Sequence, residues 1–124
     1  MNDPIQLRAP TVLVVDDYGS VCELIANKLA SIGCRVFTAA DGHEARSMIV
    51  EPPGLSVDLL ITDIEMPRMR GEDLATWLQR VQPQAKVLFM ATHKSDVRLP
   101  VPFAFLQKPF HLDSLTCTVQ SLLK

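Results

Sequence analysis

Two kinds of segment alternate along this chain. Short aliphatic runs, TVLVV (11–15), CRVFTA (34–39), VDLLIT (57–62), KVLFMA (86–91) and FAFLQ (103–107), are rich in β-branched and aromatic residues. They are strand-length and nearly continuous in apolarity, the pattern of strands covered on both faces. Between them, apolar residues recur at helical spacing. Val21, Leu24, Ile25, Leu29 and Ile32 form one such stripe, with Gly33 placed to cap its C-terminus. Asp41 followed by Glu44 has the form of a capping box ahead of Ala45, Met48 and Ile49, and Pro52-Pro53-Gly54 then stops that helix. Leu74, Trp77, Leu78 and Val81 mark a third helix, in which Trp77 reads as packing rather than as a binding aromatic. Leu112, Leu115, Val119, Leu122 and Leu123 mark a C-terminal helix.

Strands alternating with helices imply right-handed crossovers and an α/β, doubly wound parallel sheet with helices on both faces. Five strands of this length predict the order 2-1-3-4-5, which makes strands 1 and 3 neighbours and puts ligands outside their carboxyl ends. Asp16 and Asp17 follow strand 1, and Asp63 follows strand 3. One stretch resists the pattern. The 16 residues between Ala91 and Lys108 carry Pro100 and Pro102. Proline removes a backbone donor and disfavours helix at the residue before it, so a fourth helix there is expected to be shortened or irregular.

Composition narrows the class. The 124 residues suit a single domain with one core, divided as an N-terminal extension (1–10) and a domain (11–124). A net charge of −2 gives no electrostatic case for nucleic acid or an anionic membrane surface. No apolar run approaches the roughly 20 residues of a membrane span. MNDPIQLRAP lacks the apolar core of a signal peptide, so a cytoplasmic location is expected. Cys22, Cys34 and Cys117 have no metal-ligand spacing and are expected to act as small hydrophobes inside their elements. His43, His93 and His111 lie far apart, without zinc-like spacing.

Adjacent aspartates at the mouth of a buried strand are costly. At about 4 Å two unit charges repel by roughly 1 kcal/mol in water and several-fold more in a protein-like medium. A solvated loop would accommodate Asp16 and Asp17, but not a third acid, Asp63, at the neighbouring strand end. Three hard oxygen donors suit a small divalent cation such as Mg²⁺, which keeps several waters and needs few carboxylates. Lys108, at the end of strand 5 and followed by Pro109, brings a compact positive charge to the same rim. A metal and an ammonium around a carboxylate form the arrangement that stabilises a transferring phosphoryl group, with Asp63 as nucleophile.

The stretches VLVVDD, LLITDIEMPRMRG and FLQKPF, in that order, resemble the receiver domain of bacterial two-component response regulators, from about residue 11 to the C-terminus. The resemblance implies a flavodoxin-like fold and a phosphoacceptor signalling module. Such a module takes a phosphoryl group from a phosphohistidine on a sensor histidine kinase or a histidine phosphotransfer protein. Beyond self-catalysed phosphorylation and dephosphorylation it is not an enzyme. The resemblance makes Asp63 the phosphoacceptor, with Asp17 and Asp63 ligating Mg²⁺ directly, Asp16 acting largely through water, and Glu65 lending its backbone carbonyl. Lys108 would pair with the phosphoryl oxygens, and Phe105 occupies the position of the family's aromatic switch. Output is expected through a partner, a homodimer or an attached domain.

The chain also departs from the family. Ala91 stands at the usual hydroxyl position of strand 4, with Thr92 one place late as the substitute phosphate-binding hydroxyl. Arg70 stands where an acid commonly precedes the loop glycine, and the connection 92–107 is several residues short. The ending AFLQKPF resembles that of some receivers attached to sensor kinases. These departures predict weakened coupling to the face around the fourth helix. The change should concentrate in the loop 63–71, with 93–102 irregular and poor in buried apolar groups. They also keep a second reading open, a pseudo-receiver acting as a phosphorylation-independent interaction module. A haloacid-dehalogenase-type phosphatase would place D-x-D-x-[TV] after strand 1, and a flavin or nucleotide binder a Gly/Ser/Thr-rich loop. DDYGSV is neither.

Overall fold

The computed structural model describes residues 8–100 and 102–124, so most of the extension assigned to 1–10 lies outside the described residues. Strands β1 (Thr11–Val15), β2 (Arg35–Ala39), β3 (Leu59–Asp63), β4 (Lys86–Ala91) and β5 (Ala104–Gln107) pair in parallel in the order β2-β1-β3-β4-β5. This is the flavodoxin-like order that the alternating pattern implied. Every residue of β1 and β3 is buried, which explains their unbroken apolarity.

Alternate strand residues feed two cores. Val12, Val14, Ile61 and Met90 pack with Ile25 and Leu29 of α1 (Gly19–Ser31) and with Leu115 and Val119 of α4 (Leu112–Leu122). Leu13, Val15, Leu60 and Phe89 pack on the other face, with Ile49 of α2 (Gly42–Val50) and Leu74 and Leu78 of α3 (Gly71–Val81). Each such side chain contributes about 1.5–3 kcal/mol by leaving water.

The helix ends follow local chemistry. Gly33 has φ 98°, and its N–H donates to Ala30 O at 3.1 Å while Cys34 N–H donates to Leu29 O at 3.1 Å. That pair of bonds is the left-handed C-cap that only glycine enters cheaply. Asp41 Oδ1 accepts from Glu44 N–H at 2.8 Å and so caps α2. Trp77 packs partly buried on the α2/α3 side, with the Arg46 guanidinium 4.7 Å from its ring centre.

Several side chains fall elsewhere than their periodicity suggested. Leu24 is 55% exposed and Val81 51%. The buried line of α1 is Cys22, Ile25 and Leu29, and a residue beside Ile25 is rotated about 100° off that line. Cys117, midway between the buried Leu115 and Val119, points away from the sheet and is exposed rather than a core hydrophobe. Between β4 and β5 the described residues hold one 3-10 turn, Lys94–Asp96, in place of a fourth α-helix. The segment is irregular, as its prolines require, but not devoid of apolar cover: Val97 is buried and Leu99 packs on the core.

Gly71 opens α3 hard against β3. Its N–H donates to Ile64 O at 2.9 Å, and a Cβ there would collide with the Asp63 carbonyl oxygen and press on Ile64 Cα. Gly19 opens α1 in open space. Gly71→Ala is therefore expected to destabilise by about 1–3 kcal/mol through overpacking. Gly19→Ala should be neutral or stabilising by up to about 1 kcal/mol through lower unfolded-state entropy. Urea unfolding of both variants checks the contrast, and equal effects would contradict it.

Candidate functional site

The strand register brings the acids together. Val15 lies opposite Thr62, which sets Asp16 level with Asp63, and Ala91 lies opposite Gln107, which brings Lys108 out beside Thr92. The two adjacent aspartates take opposite environments. The Asp16 side chain is wholly buried, its Oδ2 accepting from Lys108 Nζ at 2.8 Å and its Oδ1 from Tyr18 N–H at 2.9 Å. Asp17 is exposed at the rim. Asp63, the last residue of β3 and only 9% exposed, accepts from Ile64 N–H at 2.9 Å through Oδ1, and its Oδ2 lies 3.4 Å from Lys108 Nζ.

These groups line a crevice of about 320 Å³ whose walls include Asp17, Asp63, Glu65, Thr92, Asp96 and Lys108. One carboxylate oxygen from each of Asp16, Asp17 and Asp63 lies within 4.8 Å of the others. Burial opposes the charge of Lys108, but its hydrogen bond to Asp16 and the two nearby carboxylates outweigh this and raise its pKa, keeping it an ammonium. Burial pushes the Asp63 carboxyl above the ordinary aspartate value. Lys108 pulls it back and Asp16 pushes it further up, with a net rise. Cys22, whose thiol donates to Asp16 O at 3.3 Å, is likewise raised, first by burial and then by Asp16, and stays a protonated packing group.

Asp17, Asp63, Glu65, Thr92 and Lys108, each singled out in the sequence, meet at this crevice, with Asp16 buried behind Lys108. Ala91 closes β4 and is buried, while Thr92 is exposed at the wall. Phe105 lies elsewhere: it sits opposite Phe89 in the sheet and packs on the α2/α3-side core. Sequence reasoning missed Asp96 as a wall of the crevice and the Tyr18 N–H as a partner of Asp16.

Residues 12–120 match the family model of the response regulator receiver domain. The chain belongs to that family. The receiver is 37% identical over 119 residues to the sensor kinase CckA of Brucella abortus, an alignment covering 92% of this chain and 12% of the kinase. It is 32% identical to the transcriptional regulatory protein GlrR of Escherichia coli, over 91% of this chain and 26% of the regulator. The chain thus spans a small part of these curated relatives. Among solved structures it resembles the response regulator TrrA of Thermotoga maritima in complex with Mg²⁺ and BeF. The TM-score is 0.77 with 31% identity, covering 92% of this chain and 99% of that one. The protein is a signalling module of the two-component type. No helix among the described residues is long and apolar enough to cross a membrane.

The receiver's donor set fits Mg²⁺. Its oxygens are hard and closely spaced, and Asp17 leaves the site open to water on one side, as a reluctantly dehydrated cation requires. The burial of Asp63, together with the nearby Asp16, has a stability consequence. Because the folded state raises the Asp63 pKa, the ionised carboxylate destabilises the fold above that raised value. The cost is relieved as pH falls through it and is gone below the ordinary value of 3.8. In chelator-treated protein, Asp63→Asn should melt higher than wild type at neutral pH, with the gain vanishing in acid. A variant less stable than wild type at neutral pH would contradict this balance.

Proposed function

We propose that residues 11–124 form a phosphorelay receiver in which Asp63 accepts a phosphoryl group from a phosphohistidine in a Mg²⁺-dependent reaction. The observation that carries the reading is Lys108 Nζ, 2.8 Å from Asp16 and 3.4 Å from Asp63, at the mouth of an acid-lined crevice. Asp63 Oδ1 is fixed by the Ile64 N–H, which leaves Oδ2 as the attacking oxygen. That oxygen bonds to phosphorus as the phosphorus–nitrogen bond breaks and the imidazole leaves, forming an acyl phosphate. Asp17, Asp63 and the Glu65 carbonyl would hold Mg²⁺, with Asp16 acting through water. When bound, the metal draws charge from the phosphoryl oxygens. Lys108 pairs with those oxygens, and Thr92 at the wall supplies the hydroxyl that Ala91 lacks. Phe105 is assigned the aromatic switch in the same reading.

The donor in this reading is a sensor histidine kinase or a histidine phosphotransfer protein, met in the cytoplasm. An apolar groove of about 360 Å³, lined by Val21, Leu24, Pro109, Phe110 and Leu112, shares Thr92 and Lys108 with the crevice and offers that donor a surface beside the acceptor. The response then passes to a partner, an attached domain or a homodimer. The rival pseudo-receiver reading draws on Ala91 alone.

Incubation with acetyl phosphate and Mg²⁺ is expected to label the wild-type chain once. Asp63→Asn should lose the label while keeping its fold by circular dichroism. A label retained in that variant would contradict the assignment, and an unlabelled wild type would favour the pseudo-receiver. Mg²⁺ at ten times its Kd should stabilise the wild type by about 1.4 kcal/mol by mass action. Asp17→Ala should lose that gain. Melting curves with and without Mg²⁺ test it, and an unchanged shift in Asp17→Ala would move the metal elsewhere.

A further inference from the structure

The first turn of α3 holds an ion pair that the phosphotransfer chemistry does not use. Glu72 is 5% exposed, and Arg70 Nε and Nη2 donate to its two carboxylate oxygens at 3.1 and 2.9 Å. Parallel charge-assisted bonds of this kind are strong and fix geometry. The pair also reaches across to the connection between β4 and β5. Arg70 Nη2 donates to the Asp96 carbonyl at 2.8 Å, and Glu72 Oε2 accepts from Arg98 N–H at 2.7 Å. Burial works to raise the Glu72 pKa, but Arg70 and the Arg98 N–H hold it below the ordinary range, so the carboxylate stays charged.

Both ends of this clamp touch the site. On one side, Gly71 lies against the Asp63–Ile64 backbone so closely that a Cβ would collide there. On the other, Asp96 forms a wall of the acidic crevice, and Val97 beside it is buried. A continuous set of contacts therefore runs from Asp63 through Gly71 to its neighbours Arg70 and Glu72, from Arg70 to Asp96 and from Glu72 to Arg98, and back to the crevice.

We propose that Arg70 and Glu72 are positioning residues that couple Asp63 to the segment 94–98, in place of the route through a strand 4 hydroxyl and a fourth helix. The proposal rests on the phosphoacceptor reading. It revises the expectation that 93–102 responds less than the loop 63–71. A phosphoryl group adds negative charge to a crevice whose wall carries Asp96. With the clamp closed, that wall and the loop shift as one body. With it open, the loop shifts alone.

The test is amide NMR with Mg²⁺ and trifluoroberyllate, comparing wild type with Glu72→Gln and Arg70→Gln. Two variants are used because Glu72 is buried, and melting curves verify that each is folded. In wild type, signals of both 64–71 and 94–98 should shift. In each folded variant the 64–71 shifts should persist, while those of 94–98 shrink by roughly threefold or more, the scale of coupling lost along a packed network. A wild-type response confined to 64–71, or undiminished 94–98 shifts in the variants, would overturn the clamp and leave the phosphoacceptor reading standing. No wild-type response in either region would instead remove the phosphoacceptor reading, and the clamp with it.

Discussion

One ammonium group, 2.8 Å from a buried carboxylate and 3.4 Å from a second, makes the rest of this receiver's site affordable. Asp16 has no access to water, and an uncompensated charge there would cost several kcal/mol. Lys108 supplies the counter-charge from the far edge of the sheet, ninety-two residues away in sequence. The arrangement is compensated but not neutral. Three carboxylates face one ammonium, and the surplus negative charge is concentrated in the open part of the crevice, where Asp17 and Asp63 lie. A site built this way holds its acids in place while leaving them short of positive charge, the electrostatic condition for recruiting a small hard cation.

The fold supplies the distances. Parallel pairing with Val15 opposite Thr62 and Ala91 opposite Gln107 sets the three strand ends level, so acids from β1 and β3 and the lysine from β5 share one rim. Gly71 then draws the start of α3 against the same rim, closer than any side chain would allow. The site is rigid at its base because β1 and β3 are buried along their whole length.

Much of this was legible in the sequence, and the exceptions have physical causes. Strands covered on both faces leave long apolar runs, so β1 and β4 were readable to the residue, while β3 begins at Leu59, two residues into its run, with the Val57 N–H donating to the Gln82 side chain. Helical spacing alone overstates the buried stripes, since Leu24 and Val81 are apolar and fall on the helical period without facing the sheet. Asp16, Asp17, Asp63 and Lys108 were readable because strand order alone forces them together. Arg70 registered only as a departure from its family, and its partnership with Glu72 was hidden. Residues two apart do not face each other on a helix, but Arg70 is the N-cap, outside the helical turn, and can fold back. Its contact with Asp96, twenty-six residues on, leaves no local pattern.

The most direct measurement is a crystal structure of the chain with Mg²⁺ and trifluoroberyllate. A phosphoacceptor at Asp63 predicts beryllium bonded to Asp63 Oδ2, Mg²⁺ held by Asp17, Asp63 and the Glu65 carbonyl, and Lys108 Nζ turned from Asp16 toward a fluorine. Beryllium on another residue, or a metal held away from Asp17 and Asp63, would contradict it.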